Sequence, residues 1–161
     1  MPLDQRLFRN VMGSFATGVA VATARDARGR PAGVTVSSFT SVSLEPPLVL
    51  FCLEWSAETW PAFRDGDHFA INILAEDQAA LSVRFATMGI DRWVGVPHDA
   101  GPDGCPLLAG TLGWVVCRKE MVREGGDHAI IVGRVERLEC DPGRSPLLHF
   151  RGAYGRFAPR R

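Results

Sequence analysis

The N-terminal residues combine apolar and polar positions with the period of an amphipathic helix. The apolar side chains recur every three or four residues, as they do on one face of an α-helix. They are Leu7, Phe8, Val11, Met12 and Phe15. Asp4 precedes this pattern and is a suitable N-cap residue. We therefore predict a helix within residues 4–15 that ends early, near Gly13.

Most of the remaining pattern is typical of β-strands joined by short connections. Apolar and polar residues alternate after Gly18 and again after Gly33, and the apolar run LVLFCL follows Pro46 and Pro47. Two long segments of strand type cover residues 111–122 and 127–140. Short helices are expected near residues 56–66 and 76–89, capped by Ser56 and Asp77. Since most connections between strands are too short for parallel crossovers, we expect a mainly β, antiparallel barrel with peripheral helices.

The stretch GVTVSSFTSVSLEPPLVLFCL, residues 33–53, contains many small hydroxyls and almost no charge. Strand alternation over this stretch would place Thr35, Ser37, Phe39, Ser41 and Ser43 on one face. One interpretation is a solvent-exposed sheet edge, where such residues are common. The other is a binding surface, because small uncharged hydroxyls can hydrogen-bond a flat polar heterocycle and leave it close to the backbone.

Three further residues suggest a phosphate site. Ser56 lies at a predicted helix N-terminus, where free N–H groups favour anions. Thr59 follows three residues later, and Arg84 on the next helix could neutralise a phosphate. The alternatives are that Ser56 is a plain cap and that Arg84 is a surface arginine.

Composition excludes several classes of function. The 161 residues favour one domain, residues 1–161, and the 18 basic and 18 acidic residues balance, so no nucleic-acid-binding surface is expected. No apolar run approaches the length of a membrane span, and the first residues lack the apolar core of a signal peptide. We expect a cytoplasmic protein. Its four cysteines and four histidines show no metal-ligand spacing, so no metal site is predicted.

Five segments in this order resemble the flavin reductase family, over residues 6–157. They are FRNVMGSFATGVAVATA, GVTVSSFTSVSLEPPLVLFCL, HFAINILAEDQAALSVRFA, GGDHAIIVGRV and PLLHFRGAYGRF. Members of this family are NAD(P)H:flavin oxidoreductases that supply reduced flavin to two-component monooxygenases. The resemblance implies the FMN-binding split barrel, a six-stranded antiparallel Greek-key barrel with helices, and a homodimer.

The resemblance also implies which residues bind the flavin. Those along the ring would be Thr35, Val36, Ser37, Ser38 and Ser41. Those near the ribityl chain and phosphate would be Cys52, Leu53, Glu54, Ser56, Ala57 and Thr59. Arg84 and Phe85 would lie at the flavin tail, Asn72 close to the ring, and Tyr154 near the nucleotide.

The GDH motif supplies the candidate catalytic residue, His128. By resemblance it lies near the nicotinamide side of the flavin, where an imidazole could hydrogen-bond the carboxamide or deliver a proton. Neighbouring strand residues point to opposite faces, so no direct pair between Asp127 and His128 is expected. The alternative for His128 is a structural histidine of the barrel.

The predicted function is hydride transfer from NADH or NADPH to FMN or FAD, with delivery of the reduced flavin to a partner monooxygenase. NADH is favoured because no basic cluster awaits a 2′-phosphate. An oxidase of the pyridoxamine-phosphate type is disfavoured, since residues 33–60 contain no Arg or Lys. A non-catalytic flavin-binding or carrier protein is the alternative. The choice between FMN and FAD and the role of residues 90–110 stay open.

Overall fold

The computed structural model of the protein describes residues 2–160, and its first element is helix α1, Gln5–Gly13. The Asp4 carboxylate accepts the N–H groups of Arg6 at 2.8 Å and Leu7 at 3.2 Å, which confirms the predicted cap. The helix ends at Gly13, as expected. None of its side chains is buried, so its apolar face lies open on this single chain.

The chain after α1 is dominated by strands. They are β1 Thr17–Gly18, β2 Ala20–Arg25, β3 Pro31–Val36, β4 Thr40–Leu44, β5 Pro47–Glu54, β6 His68–Ile73, β7 His98–Ala100, β8 Pro106–Leu108, β9 Gly113–Gly125, β10 His128–Cys140, β11 Leu147–Phe150 and β12 Ala153–Arg156. Between them lie the helices α2 Trp60–Asp65 and α3 Ala79–Ala86, and a 3₁₀ turn at Pro102–Gly104. Within residues 2–160, no helix is both long and apolar enough to cross a lipid bilayer.

Seven strands form the main antiparallel sheet, in the order β3-β2-β6-β9-β10-β5-β4. Its centre is the long β9–β10 hairpin, closed by a two-residue turn in which Gly126 has a φ of 70°. Strands β1, β11 and β12 form a small second sheet, and β7 pairs with β8. The predicted class, mainly β and antiparallel with peripheral helices, is confirmed; the main sheet has one strand more than the six implied by the resemblance.

The two edges of the main sheet are neighbours in the chain. Strand β3 ends at Val36 and β4 begins at Thr40, so the two edges are separated by at most about 14 Å of chain. A flat sheet of seven strands would hold its edges about 29 Å apart. The sheet therefore curls into a barrel whose edges meet at residues 37–39, which we call the seam.

The seam corrects one prediction from the sequence. Strand alternation does not run through residues 33–44, because the strand ends at Val36 and a new one begins on the other edge of the sheet. Thr35 and Ser41, predicted to share one face of a single strand, consequently belong to different strands, β3 and β4. Ser41 lies on the exposed edge strand β4.

Aromatic side chains fill the barrel. Phe51 packs edge-to-face on Phe63 and Phe69, with ring centroids 5.5 and 5.2 Å apart, and all three rings are buried. Burial of such a side chain contributes about 1.5–3 kcal/mol to folding. Gly133 lets this packing form, since a Cβ at that position would collide with the ring of Phe69.

The predicted helix caps of α2 and α3 are wrong. Helix α2 begins at Trp60, so Thr59 and not Ser56 precedes it, and Thr59 makes no side-chain cap bond. Gln78 and not Asp77 precedes α3. The Gln78 side chain accepts the N–H of Ala75 at 3.0 Å, so it bonds the preceding turn and does not cap the helix.

Candidate functional site

A cleft of about 560 Å³ opens at the seam of the barrel. It lies between the end of β3, the end of β5 with its following turn, the end of α3, and the start of β10. Its lining is Val34, Thr35, Val36, Ser37, Ser38, Cys52, Leu53, Glu54, Ser56, Ala57, Glu58, Phe85, Ala86, Met88, Arg92 and His128. Eleven of the sixteen residues predicted from the sequence are among them.

The hydroxyls of the cleft differ in how they are used. The Thr35 hydroxyl donates to the carbonyl oxygen of Ser82 at 2.7 Å and so fixes α3 against β3. The Ser38 hydroxyl is bonded to the backbone of Cys52. Ser37 and Ser56 are exposed, and no side-chain hydrogen bond engages them within residues 2–160. These two hydroxyls are therefore available to a ligand.

The turn after β5 is fastened to the hairpin that carries His128. The Trp55 N–H donates to the carbonyl oxygen of Asp127 at 3.1 Å, and its indole N–H donates to that of Gly126 at 3.0 Å. The Trp55 ring also packs edge-to-face on Trp60, 4.9 Å between centroids. Two walls of the cleft are thereby held at a fixed separation.

Asp127 and His128 form a direct pair, contrary to the prediction. His128 Nδ1 lies 2.7 Å from Asp127 Oδ1. Alternation does not apply because Asp127 belongs to the hairpin turn and only His128 to the strand. The hydrogen bond from His128 holds the pKa of Asp127 below its usual range, so Asp127 is a carboxylate at neutral pH. A carboxylate only accepts; Nδ1 therefore carries the proton, and Nε2 is left for other partners.

One cation, Arg92, lines the cleft within the part of the chain that the structure describes. It is only 8% exposed. Its guanidinium donates to the carbonyl oxygens of Gly33 and Thr87, both at 2.8 Å, and meets the Glu58 carboxylate at 3.3 Å. The sequence did not point to Arg92, because residues 90–110 show no helix or strand pattern. The burial of an arginine in such a loop cannot be predicted from hydrophobic periodicity.

Asn72 and Arg84 lie outside the cleft, because other parts of the protein use their polar groups. Asn72 is fully buried; its amide group donates to the Val21 carbonyl oxygen and accepts the Leu108 N–H at 2.9 Å. Arg84 donates to the main-chain oxygens of Arg92 and Val94. Both residues fix the fold around the site, and neither reaches the cleft wall.

Three more predicted residues also lie outside it. Tyr154 OH is hydrogen-bonded to the Ser82 hydroxyl at 2.8 Å, behind α3. Ser41 is on β4, and Thr59 lines a neighbouring cavity. The predicted phosphate site at the start of α2 also loses its basis, since that helix has only six residues and Ser56 does not cap it.

The cleft fits a flat, polar, largely uncharged heterocycle. Its volume is typical of small-molecule sites. Free hydroxyls and apolar side chains line it, and the fixed pair of Asp127 and His128 stands at its border. Fold and cleft together define a split-barrel protein with a ligand site at the seam.

Comparison with known proteins identifies the family. The sequence model of the "Flavin reductase like domain" family matches residues 12–158, and the chain belongs to this family.

Among its relatives, the FMN reductase (NADH) SmoA of Agrobacterium fabrum is 44% identical over 155 residues, 96% of this chain and 87% of that protein. The flavin-dependent monooxygenase reductase subunit HsaB of Rhodococcus jostii is 40% identical over 157 residues, 98% and 80% of the two chains. The solved structure of the NADH:FAD oxidoreductase SgcE6 of Streptomyces globisporus superimposes with a TM-score of 0.92 at 36% identity, covering 100% of this chain and 99% of that one.

Proposed function

We propose that this protein is an NAD(P)H:flavin oxidoreductase that reduces FMN or FAD and supplies the reduced flavin to a partner monooxygenase. The observation that carries the proposal is the cleft at the seam, in which an uncharged hydroxyl wall faces a histidine held by a carboxylate. Relatives that are themselves named as flavin reductases and as a monooxygenase reductase subunit support it.

The residues that line the cleft would hold the flavin. The free hydroxyls of Ser37 and Ser56 can donate to ring or ribityl oxygens or accept from them. Val36 and Leu53 present apolar surface to the ring. Phe85, fully buried behind this wall, keeps α3 in place.

Bound flavin would supply the hydride-accepting ring, and reduced nicotinamide the hydride. The protein needs no nucleophile for this reaction; its task is to bind, orient and exclude water. Asp127 fixes the His128 ring by its hydrogen bond to Nδ1. His128 Nε2 can then hydrogen-bond the nicotinamide carboxamide, or hold a proton close to the ring as charge develops.

A non-catalytic flavin carrier is the alternative. It requires the same hydroxyl wall but gives no role to the Asp127 and His128 pair at the border of the cleft. That pair favours the enzyme. NADH is the favoured reductant. The 2′-phosphate of NADPH would need a free cation, and the one cation in the cleft lining, Arg92, is already paired with Glu58.

We further infer that the protein is a homodimer. The apolar face of α1 is open on the single chain, with Val11 61% and Phe15 73% exposed. Met12 and Phe15 also border an open groove of about 820 Å³ that reaches Ser37 and Ser38 at the seam. An apolar helix face of this kind is typical of surfaces that a partner covers, and a second copy would cover it next to the cleft.

A cytoplasmic location is inferred from the four unpaired cysteines.

The test is turnover by purified protein. FMN or FAD is mixed with NADH or NADPH, and loss of absorbance at the nicotinamide band is followed. We expect flavin-dependent oxidation, faster with NADH. No flavin-dependent loss with any pair would contradict the reductase proposal. Flavin that co-elutes with the protein in gel filtration while turnover is negligible would favour the carrier.

A further inference from the structure

Three potential metal ligands meet on the outer face of the barrel, outside the lining of the cleft. His68 begins β6, Asp103 lies in the 3₁₀ turn, and Glu136 lies in β10. His68 Nε2 is 3.3 Å from Glu136 Oε2 and 4.0 Å from Asp103 Oδ2. One ligand atom of each residue lies within 4.8 Å of those of the other two. We call these three residues the outer cluster.

Glu136 reaches His68 because it is the extra residue of a β-bulge. The pairing of β10 with β9 shifts register between Val135 and Arg137, so Glu136 is left out of the pairing. Bulges redirect side chains and are common at functional sites. Arg118 Nε lies 3.6 Å from Glu136 Oε1, whereas Oε2 faces His68. One carboxylate oxygen of Glu136 is therefore oriented by Arg118, and the other is directed into the cluster.

The turn that carries Asp103 is held over the start of β6. Two residues after Asp103, Cys105 is buried in one cluster with Ala70 of β6. Ala70 and His68 are two residues apart on the strand and share its outward face, since Phe69 between them points into the barrel core. Packing of Cys105 on this face therefore places Asp103 beside His68.

The same turn is also bonded to β2. The Thr23 hydroxyl donates to the Pro106 carbonyl oxygen at 2.6 Å, and Arg25 donates to the carbonyl oxygen of Gly104. These bonds fix the backbone that follows Asp103. A ligand set on backbone that is already ordered loses little conformational entropy when it binds an ion.

The donor atoms suit a zinc ion. Zn²⁺ binds imidazole nitrogen and carboxylate oxygen at about 2.0–2.2 Å, and the ligand atoms of a tetrahedral site are then about 3.3 Å apart. His68 and Glu136 already have this separation, and the Asp103 side chain is 43% exposed and free to rotate closer. Three protein ligands leave the fourth position to water. An imidazole among the ligands favours Zn²⁺ over Mg²⁺ and Ca²⁺, which prefer oxygen alone.

The charge of the cluster also favours a cation. It contains two carboxylates, and among residues 2–160 one arginine, Arg118, forms an ion pair with them. Arg134 on the neighbouring part of β10 is paired instead with Glu120, at 2.9 Å. The excess negative charge is one that a divalent cation neutralises.

We propose that His68, Asp103 and Glu136 bind one Zn²⁺ ion, which fastens residues 98–108 to the outer face of the barrel. The role of the ion is structural, because it joins β6, β10 and the 3₁₀ turn and lies outside the cleft. The expectation of no metal site rested on ligand spacing along the chain. A site assembled from three distant elements shows no such spacing.

The test is Zn²⁺ binding by the full chain. Protein treated with EDTA and dialysed is titrated with ZnCl₂ in a calorimeter, and we expect one Zn²⁺ per chain, with no competition from Mg²⁺. Loss of a group that only supports a metal ligand typically weakens metal binding about 10- to 100-fold. Loss of a direct ligand should cost more, so Glu136→Gln and Asp103→Asn should each weaken Zn²⁺ binding by about 100-fold or more. Glu139→Gln and His98→Gln remove the same types of group from exposed positions outside the cluster and should bind Zn²⁺ as the wild type does.

Two further measurements locate the ion. Zn²⁺ should slow amide hydrogen exchange in residues 98–108 of the wild type, and it should raise the Tm of the wild type but not that of Glu136→Gln. Glu136→Gln preserves the shape of the side chain, so its metal-free circular dichroism spectrum should match that of the metal-free wild type. A loss of binding in this variant is then a loss of the site and not of the fold.

Absence of Zn²⁺ binding by the wild type would refute the proposal. Binding that persists in both Glu136→Gln and Asp103→Asn would refute it as well. If binding is lost in His98→Gln, or when the thiols of Cys52 and Cys140 are blocked, the ion is held elsewhere and the assignment is wrong. Each measurement is made without flavin, so the result is independent of the proposed function.

Discussion

The Ser38 hydroxyl is bonded to both main-chain groups of Cys52, accepting its N–H at 2.9 Å and donating to its carbonyl oxygen at 3.1 Å. Strand β4 pairs with β5 only as far as Leu50, opposite Thr40. Beyond that point Cys52 has a strand partner, Ile130, on one side only. Ser38 therefore takes the place of a neighbouring strand and holds the seam closed beside the cleft.

Replacement of Ser38 by alanine should destabilise the protein as well as weaken flavin binding. The change removes both hydrogen bonds that join Ser38 to the main chain of Cys52 at the seam. A cost of about 1 kcal/mol in the free energy of unfolding is expected, measured by urea denaturation. Ser37→Ala is the control, since Ser37 is equally exposed but makes no side-chain hydrogen bond within residues 2–160. Its free energy of unfolding should stay within about 0.5 kcal/mol of wild type while its flavin affinity falls. Equal stability of the two variants would contradict the seam role of Ser38.

The fold class could be predicted because strand patterns and connection lengths are local features. Short links between most successive strands implied antiparallel pairing, which the structure confirms for the main sheet. The seam could not be predicted in this way. Residues 33–44 alternate without interruption, and only the position of β3 and β4 on opposite edges of the sheet shows that the strand breaks at Val36.

Some residues of the candidate site could likewise be predicted from the sequence, and others could not. The hydroxyls that follow Gly33 were singled out because they are close in sequence and uncharged, and the residues of β5 were implied by the family resemblance. Arg92 was missed because its importance comes from burial and from two partners distant in sequence, Gly33 and Glu58. Asn72 was assigned to the flavin by resemblance alone, whereas its amide satisfies buried groups of β2 and β8. Partners of this kind depend on tertiary contacts, which a local pattern does not encode.

Removal of the His128 imidazole should slow reduction without preventing flavin binding. His128→Ala is expected to lower kcat/KM for NADH by about 100-fold, the lower end of the range for loss of a proton-transfer group, while the flavin Kd changes little. Asp127→Ala should have a smaller effect of the same kind, because Asp127 acts by orienting the ring. Stopped-flow reduction of bound flavin separates hydride transfer from binding.

The double variant tests whether the two residues act as a unit. If Asp127 works only through His128, the double variant should be no slower than His128→Ala alone. Glu124→Ala, an exposed carboxylate of the same hairpin, is the control for loss of negative charge. Additive effects of Asp127→Ala and His128→Ala would show that Asp127 has an independent role.

The four cysteines should differ in reactivity, and the difference should depend on pH. Burial raises the pKa of Cys105 to about 11 and that of Cys117 to about 12. Since the thiolate is the reactive form, these two thiols should stay unreactive at pH 8. Cys140 is exposed and Cys52 half-buried in the cleft. A disulfide reagent should therefore label two thiols in native protein and four in urea, and bound flavin should slow one of the two.

Cys52→Ser provides the control for that experiment. It should leave one reactive thiol, Cys140, in native protein, and flavin should no longer alter the labelling. Labelling of Cys105 or Cys117 at the rate of Cys140 in folded protein would contradict their burial. Labelling of Cys52 at the same rate with and without flavin would contradict its place in the flavin site.

A single charge on the apolar face of α1 should dissociate the inferred homodimer. Val11→Asp places a carboxylate where we expect apolar contact with a second copy, and burial of an unpaired charge is strongly unfavourable. Light scattering after gel filtration should give a dimer for the wild type and a monomer for Val11→Asp. Asn10→Asp adds the same charge one residue away on the exposed polar face of the helix and should stay dimeric.

Because the groove bordered by Met12 and Phe15 reaches the seam at Ser37 and Ser38, the monomer should also bind flavin more weakly. A dimer that survives Val11→Asp would show that α1 lies outside the interface, and a monomeric wild type would refute the dimer itself.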